Sequence, residues 1–536
     1  MKNLIRNLVI VCLLVIATII VIPNVLAEFG AADNTLTVNG LDNNVNVNWY
    51  RIMTVNIENN QPKDPVYSWV PSVATWLKNN GYGDFVVENS NVVNHGENGF
   101  NSSTNSTTLA KMYGELAAAI RTSIANGTFD TTFEGVTRST TPANSGDGSS
   151  VTFTDLELGN YFILADSSTE HVYAPTSVRI VPVWNTTTKA WDVVDKTVNM
   201  KSTPVDVTKT ASTASASIGG TVTYTLSIDV PTYPDGTTNK TLELGDVLSD
   251  GLTFVDGSMT VMSGTNTLTS QQYNVTSTPN TNGGGTLTIN FGGTYYDAIK
   301  AAGYTNIVVT YKAIINENAV VKEAVKDENG DVVTDEDGDI VYNVNTDNTA
   351  TLKYSRNPYD NETTETGSTV TVYTYGLDVT KIDATSKEKL SGAQFKISTD
   401  AAGNTVLHFT KVSDGVYRYD PAGTVTTDLT VASDGTLRVT GLDLDTYYIT
   451  ETKAPNEYII KSGALPVTIA DDNNDGIANK STTGYFATDF ENSKSLIDLP
   501  VTGGIGTLIF SIIGILFMGI SIVLIKNILK KKEVQL

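Results

Sequence analysis

The 536-residue chain predicts an all-β protein of tandem, immunoglobulin-like sandwich domains, on three observations. Between residues 28 and 495 the sequence runs in short alternating stretches rich in Val, Thr, Tyr and Ile. Asn, Asp and Gly turns such as "PDGTTN" and "ASDG" break them, which is the pattern of half-buried strands. Segments also repeat. "VDVTKTAS" at 205–212 returns as "LDVTKIDA" at 377–384, and "LELGNYFILAD" at 156–166 returns as "LDLDTYYITET" at 442–452. Helical periodicity is clear in one region, 107–127, where Leu109, Met112, Leu116, Ile120 and Ile124 recur at three and four. A second, short helix over 71–81 opens on Pro71 and stops at Gly81.

Taken in order, residues 1–27 read as a secretory signal peptide: Lys2 and Arg6 precede an apolar run that ends in Val25-Leu26-Ala27. A β-domain with helical insertions follows over 28–203, then further sandwiches over 204–375 and 376–495. Residues 496–536 form the tail "IDLPVTGGIG", an apolar run from Ile505 to Ile525 long enough to span a bilayer, and Lys526, Lys530, Lys531 and Lys532 at its cytoplasmic end. The single cysteine, Cys12, lies in the signal, so the processed chain has no thiol for disulfides or metal. The formal net charge of -23 excludes nucleic acid as a natural partner.

Strand side chains alternate faces, so residues two apart share one. Lys209 is in phase with Val205 and Val207, and Lys381 with Leu377 and Val379, so both amines point into a core. Asp246 shares a face with Leu242 and Leu244, and Glu451 with Tyr447 and Ile449. Asn348 lies in phase with Ala350 and Leu352, and Asn492 with Phe486 and Phe490. Each of the last two domains thus offers one inward lysine, acid and asparagine. A buried ammonium must be paired or lose its proton. The set is therefore either a buried ion pair beside a hydrogen-bonded amide, or a covalent site. In the covalent case a neutral amine attacks the asparagine carbonyl, a protonated acid assists and ammonia leaves.

Here the residues carry a resemblance. "YYITETKAPNEY" resembles the E-box of Gram-positive pilins, with Glu457 where glycine is usual, and "VTKID...LSGAQFKI" resembles the opening of a collagen-adhesin B-type (CnaB-like) domain. The middle domain resembles the A-type (CnaA-like) with aspartate as its acid. From signal to tail the chain resembles an LPxTG-anchored, sortase-assembled major pilin. The resemblance implies intramolecular isopeptide bonds Lys209–Asn348, assisted by Asp246, and Lys381–Asn492, assisted by Glu451. It implies the sorting motif Leu499, Pro500, Val501, Thr502, Gly503, cut after Thr502, whose acyl group passes to a lysine of the next subunit. Phase selects that lysine. Lys196 is in register with Val194, Val198 and Met200, hence inward, whereas Lys201 is in register with Thr197 and Asn199, hence outward. The first domain has Ala165 where the third has Glu451 and no lysine in "NTLTVNG", so no isopeptide bond is expected there.

The expected protein is the shaft subunit of a pilus. Its partners are further copies of itself, pilus-specific and housekeeping sortases, minor pilins, peptidoglycan and a host surface. It needs no cofactor and is no turnover enzyme. The rival is a monomeric, wall-anchored adhesin, which shares the tail and internal bonds but does not need Lys201. Asp471, Asn473, Asp475 and Gly476 begin a calcium-loop pattern that fails at Thr482, and 327–339 reads as an acidic hairpin, so no metal is assigned. His95, His171 and His408 are scattered without ligand or triad spacing. The sequons at Asn101 and Asn105 have no role in a bacterial route.

Overall fold

The computed structural model describes residues 34–494 and part of a helix between 512 and 523. Breaks within the body fall at 44, 96–105, 140–149, 167, 169–170, 234–236, 238, 336–337, 339, 357–362, 472–476 and 479–482. The signal segment, the sorting motif 499–503, the lysines after 525, the two sequons and most of the calcium-loop pattern lie outside the described residues. Among the described residues no helix is long and apolar enough to cross a membrane.

Among the described residues the first domain has two main sheets and two two-stranded ribbons. In the smaller, Asn34–Asn39 lies between Lys196–Asn199, in parallel, and Ser150–Leu156, antiparallel. The larger runs in the order Gln61–Trp69, Val47–Glu58, Gly159–Ala165, Thr176–Ile180. Its strand Gly159–Ala165, "GNYFILA", is buried on both faces. Tyr161 and Ile163 pack between the sheets, while Phe162 and Leu164 face the helices Pro71–Asn79 and Ser106–Ala125. That explains an unbroken apolar strand here. The long helix buries Met112, Leu116 and Ile120 as the periodicity predicts, but Ile124 is exposed. At 3.6 residues per turn the stripe drifts, and Ser123 takes the inward position, donating to the Ile120 carbonyl at 2.7 Å. Proline opens the short helix, and Gly81, at φ +84°, follows the C-cap residue Asn80 in a backbone region that favours glycine.

The second domain stacks two antiparallel sheets on one core. One has the order Val207–Ala211, Thr221–Asp229, Asn306–Ile315, Thr260–Ser263, Asn266–Thr267. The other has the order Asn274–Pro279, Gly285–Asn290, Leu242–Leu248, Asp347–Ser355, Thr363–Thr371. Strict alternation in "TVTYTLSID" puts Val222, Tyr224, Leu226 and Ile228 inside. Val172 of the first domain joins this core beside Val205.

The third domain pairs a five-stranded sheet (Phe409–Ser413, Val416–Tyr419, Thr436–Leu442, Tyr375–Asp383, Tyr485–Asn492) with a four-stranded one (Leu429–Thr430, Gln394–Ser398, Asp445–Lys453, Ala464–Ile469). Its first and last strands are parallel neighbours, Lys381 opposite Phe490 and Asp383 opposite Asn492. The chain passes from the second core at Val372 to the third at Tyr375. That junction is tight. Ile218 donates to the Gly441 carbonyl at 3.0 Å, and a Cβ on Gly441 would fall 2.4 Å from Ile218 Cδ1.

Candidate functional site

In the second domain the strand Val207–Ala211 brings Val205, Val207 and Lys209 to one face, and all three are buried. Asp246 and Asn348 come from the other sheet, on adjacent strands in which Asp246 pairs with Ala350 and Leu248 with Asn348. Across the sandwich the three side chains meet. The Lys209 Nζ donates to Asp246 Oδ1 and, at 2.6 Å, to Asn348 Oδ1. Tyr311 completes the group: its hydroxyl donates to Asp246 Oδ2 and accepts from Asn348 Nδ2 at 2.6 Å, with Lys209 Nζ 3.4 Å away. Its ring stacks on Tyr224, centroids 5.6 Å apart, and both tyrosines are buried.

Burial biases the protonation state. It pushes the Lys209 ammonium down to about 8, with the Asp246 charge opposing a further fall. It raises the Asp246 carboxyl above its ordinary value against the pull of Lys209. Both shifts favour the uncharged forms, so a proton passed from Nζ to Oδ1 leaves a neutral amine against an amide and a neutral acid beside it. Those are the reactants for amide exchange.

The third domain uses a different geometry. Lys381 and Asn492 lie on the parallel first and last strands of one sheet, and Glu451 reaches in from the facing sheet; all three are buried. Asn492 Nδ2 donates to Glu451 Oε2 at 2.8 Å and to the Ile459 carbonyl at 2.7 Å. The Lys381 amine, buried and pushed down to about 8 by that burial, donates to the carbonyls of Phe490 at 3.0 Å and Ile382 at 3.4 Å. It makes no hydrogen bond to the acid or the amide. Two acceptors here, Glu451 Oε1 and Asn492 Oδ1, are buried without a hydrogen-bond partner among the described residues. A buried acceptor left without a donor costs desolvation free energy that a hydrogen bond would offset.

In the first domain Ala165 ends the strand equivalent to the one carrying Glu451, paired with Val47, and Asn34, Leu36 and Val38 are the buried residues of "NTLTVN". Lys196 is half-buried in an edge strand, opposite Leu36. Val194 is exposed, since it precedes the strand that begins at Lys196. Lys201 is exposed, and its carbonyl accepts from the Ala174 N–H at 2.8 Å. It heads the short strand Ser202–Pro204, which pairs with His171–Tyr173. Asp42 secures that ribbon, accepting from His171 Nδ1 at 2.9 Å, while the Asp42 N–H donates to the Tyr173 hydroxyl at 2.8 Å. Ser168 also meets Asp42, giving the carboxylate its one hydroxyl hydrogen.

Two groups escaped the sequence reading. Tyr311 was visible by phase, sharing a face with Ile307, Val309 and Ala313, but was indistinguishable from an ordinary core aromatic. Lys322 is buried with its Nζ 4.3 Å from the Tyr342 ring and 4.7 Å from that of Tyr373. It lies outside any strand, so alternation gave no signal.

Residues 218–335 match the family described as Gram-positive pilin backbone subunit 2, Cna-B-like domain. Residues 375–483 match the SpaA family, described as a prealbumin-like fold domain. The first description names a Cna-B-like fold where the resemblance implied the A-type. Over 415 residues the chain is 26% identical to the trypsin-resistant surface T6 protein of Streptococcus pyogenes serotype M6, covering 65% of this chain and 69% of that one. The solved T6 backbone pilin of serotype M6, with its modular three-domain structure, superposes with a TM-score of 0.54 at 17% identity. That superposition covers 86% of this chain and 99% of the other.

Proposed function

We infer that this chain, a Gram-positive major pilin by its domains and relatives, is joined covalently to copies of itself and strengthened by its own isopeptide bonds. The observation that carries the reading is the buried contact of Lys209 with both Asp246 and Asn348. A chain without cysteine beyond Cys12 has no disulfides, and this set supplies an alternative staple. In each of the last two domains the lysine amine displaces ammonia from asparagine, Asp246 or Glu451 handling the protons.

Polymerisation belongs to a partner transpeptidase of the sortase class. It cleaves between Thr502 and Gly503 and delivers the Thr502 acyl group to Lys201 of the next subunit. The exposure of Lys201 and its place on a pinned ribbon support that choice over half-buried Lys196. A housekeeping sortase then transfers the fibre to peptidoglycan, with minor pilins added. The apolar tail acts as a temporary tether before cleavage.

Denaturing gels of wall extracts test the polymer. A high-mass ladder that is lost in Lys201→Ala and kept in Lys196→Ala is the expected result, with a branched Lys201–Thr502 peptide in the digest. A single wall-linked band from the native chain is what a monomeric adhesin would give, and it would overturn the reading.

A further inference from the structure

We propose that Tyr311 is a catalytic residue of the second-domain crosslink, its hydroxyl relaying a proton from Asp246 to the departing nitrogen of Asn348. The proposal rests on the isopeptide reading above and adds a residue to it. Asp246 and Asn348 are not hydrogen-bonded to each other. The carboxyl spends Oδ1 on the Lys209 amine and Oδ2 on the Tyr311 hydroxyl, and the same hydroxyl accepts from Asn348 Nδ2 at 2.6 Å. The attacking and leaving nitrogens are thus joined through Asp246 and Tyr311 in a closed ring of contacts. In the third domain the asparagine nitrogen reaches its acid directly, Asn492 Nδ2 to Glu451 Oε2 at 2.8 Å, and no intermediary is needed. The phenol occupies the gap that the different strand arrangement leaves.

The protons balance without an outside reactant. The Lys209 ammonium gives one proton to Asp246 Oδ1, and its lone pair adds to Asn348 Cγ, the carbonyl π pair moving to Oδ1. The C–Nδ2 bond breaks as the Tyr311 hydroxyl turns its proton to Nδ2, and the Asp246 carboxyl, turned so that its protonated oxygen faces the phenol, replaces that proton on the phenol oxygen. The carbonyl re-forms, ammonia leaves, and the new amide nitrogen returns its surplus proton to Asp246. The phenol is regenerated and Asp246 ends as a neutral acid in an apolar site, where burial favours that form.

Tyr311→Phe keeps the ring and removes the relay. Newly synthesised full-length chain is sampled over time, and the Lys209–Asn348 and Lys381–Asn492 branched peptides are quantified by mass spectrometry. The expected result is a second-domain bond formed about 100-fold more slowly, the usual scale for losing one acid–base group, with the third-domain bond forming at its native rate. Formation of both bonds at native rates in Tyr311→Phe overturns the relay alone. Absence of the Lys209–Asn348 peptide from the native chain overturns the isopeptide reading and the relay with it. Protease resistance of Lys209→Met and of Lys209→Met combined with Tyr311→Phe controls for folding. Equal resistance assigns the slowing to chemistry, and loss of the native fold on adding Tyr311→Phe reassigns it to structure and overturns the proposal.

Discussion

Replacing Lys209 with methionine tests the second-domain bond most directly, because the change removes the nucleophile without leaving a charge behind. Methionine fills a similar volume, and its thioether suits the space beside the Tyr224 and Tyr311 rings, whose centroids lie 5.3 and 5.8 Å from the native amine. The stranded Asp246 needs no new partner, since burial already favours its protonated form and Tyr311 remains bonded to Oδ2. What is lost is the crosslink. Lys209 and Asn348 are 139 residues apart in sequence, and closing a loop of that size removes denatured-state entropy worth about 5 kcal/mol at 25 °C. For a domain of this size each kcal/mol moves the midpoint by roughly 2–4 °C, so the second domain should melt about 10–20 °C lower. Calorimetry of the wild-type and Lys209→Met chains, with peptide mapping for the branch, checks it. An unchanged melting temperature, or a wild-type second domain without the branched peptide, would refute the reasoning.

Other consequences are equally accessible. Glu451→Ala removes the acid that holds Asn492, so the intact chain should retain the ammonia of the third domain and weigh about 17 Da more than expected for the substitution alone. Trypsin should also digest that domain faster. Bond formation in the third domain should depend on pH. The Lys381 amine rests on backbone carbonyls and not on its acid, so it is reactive only after losing a proton to solvent, and burial places that transition at about 8. The rate in freshly made chain should rise roughly tenfold per pH unit below about 8 and level off above it. A rate that falls across that window would contradict a neutral-amine mechanism.

Much of the site was legible because strands have a period of two. Six side chains of unlike chemistry sat in phase with apolar neighbours, and all six are buried. What phase cannot supply is the pairing between strands far apart in sequence. It put Lys381 and Asn492 inside without revealing that their strands run parallel, or that the amine would rest on the Phe490 carbonyl. Nor can it separate a working phenol from a packing one. Tyr311 and Tyr224 both occupy inward positions of alternating strands, and only the folded register brings the Tyr311 oxygen to both Asp246 and Asn348. Where the chain leaves regular strands, as at Lys322 or Val194, alternation stops being informative.

The proposed Lys209–Asn348 and Lys381–Asn492 bonds, with the proposed junction at Lys201, would also fix where tension runs in a pulled fibre. Load entering through the Lys201 side chain would follow the backbone to Lys209, cross to Asn348, follow it again to Lys381, cross to Asn492 and leave at Thr502. Residues between Lys209 and Asn348, and between Lys381 and Asn492, would then be bypassed, and stretching the shaft would not unravel either sandwich. Apart from the short strand Ser202–Pro204, the first domain precedes Lys201 in the chain, so its strands and helices would lie off this route. A domain that bears no pull has no mechanical need of a staple, and that is the domain in which Ala165 stands where an acid would be required.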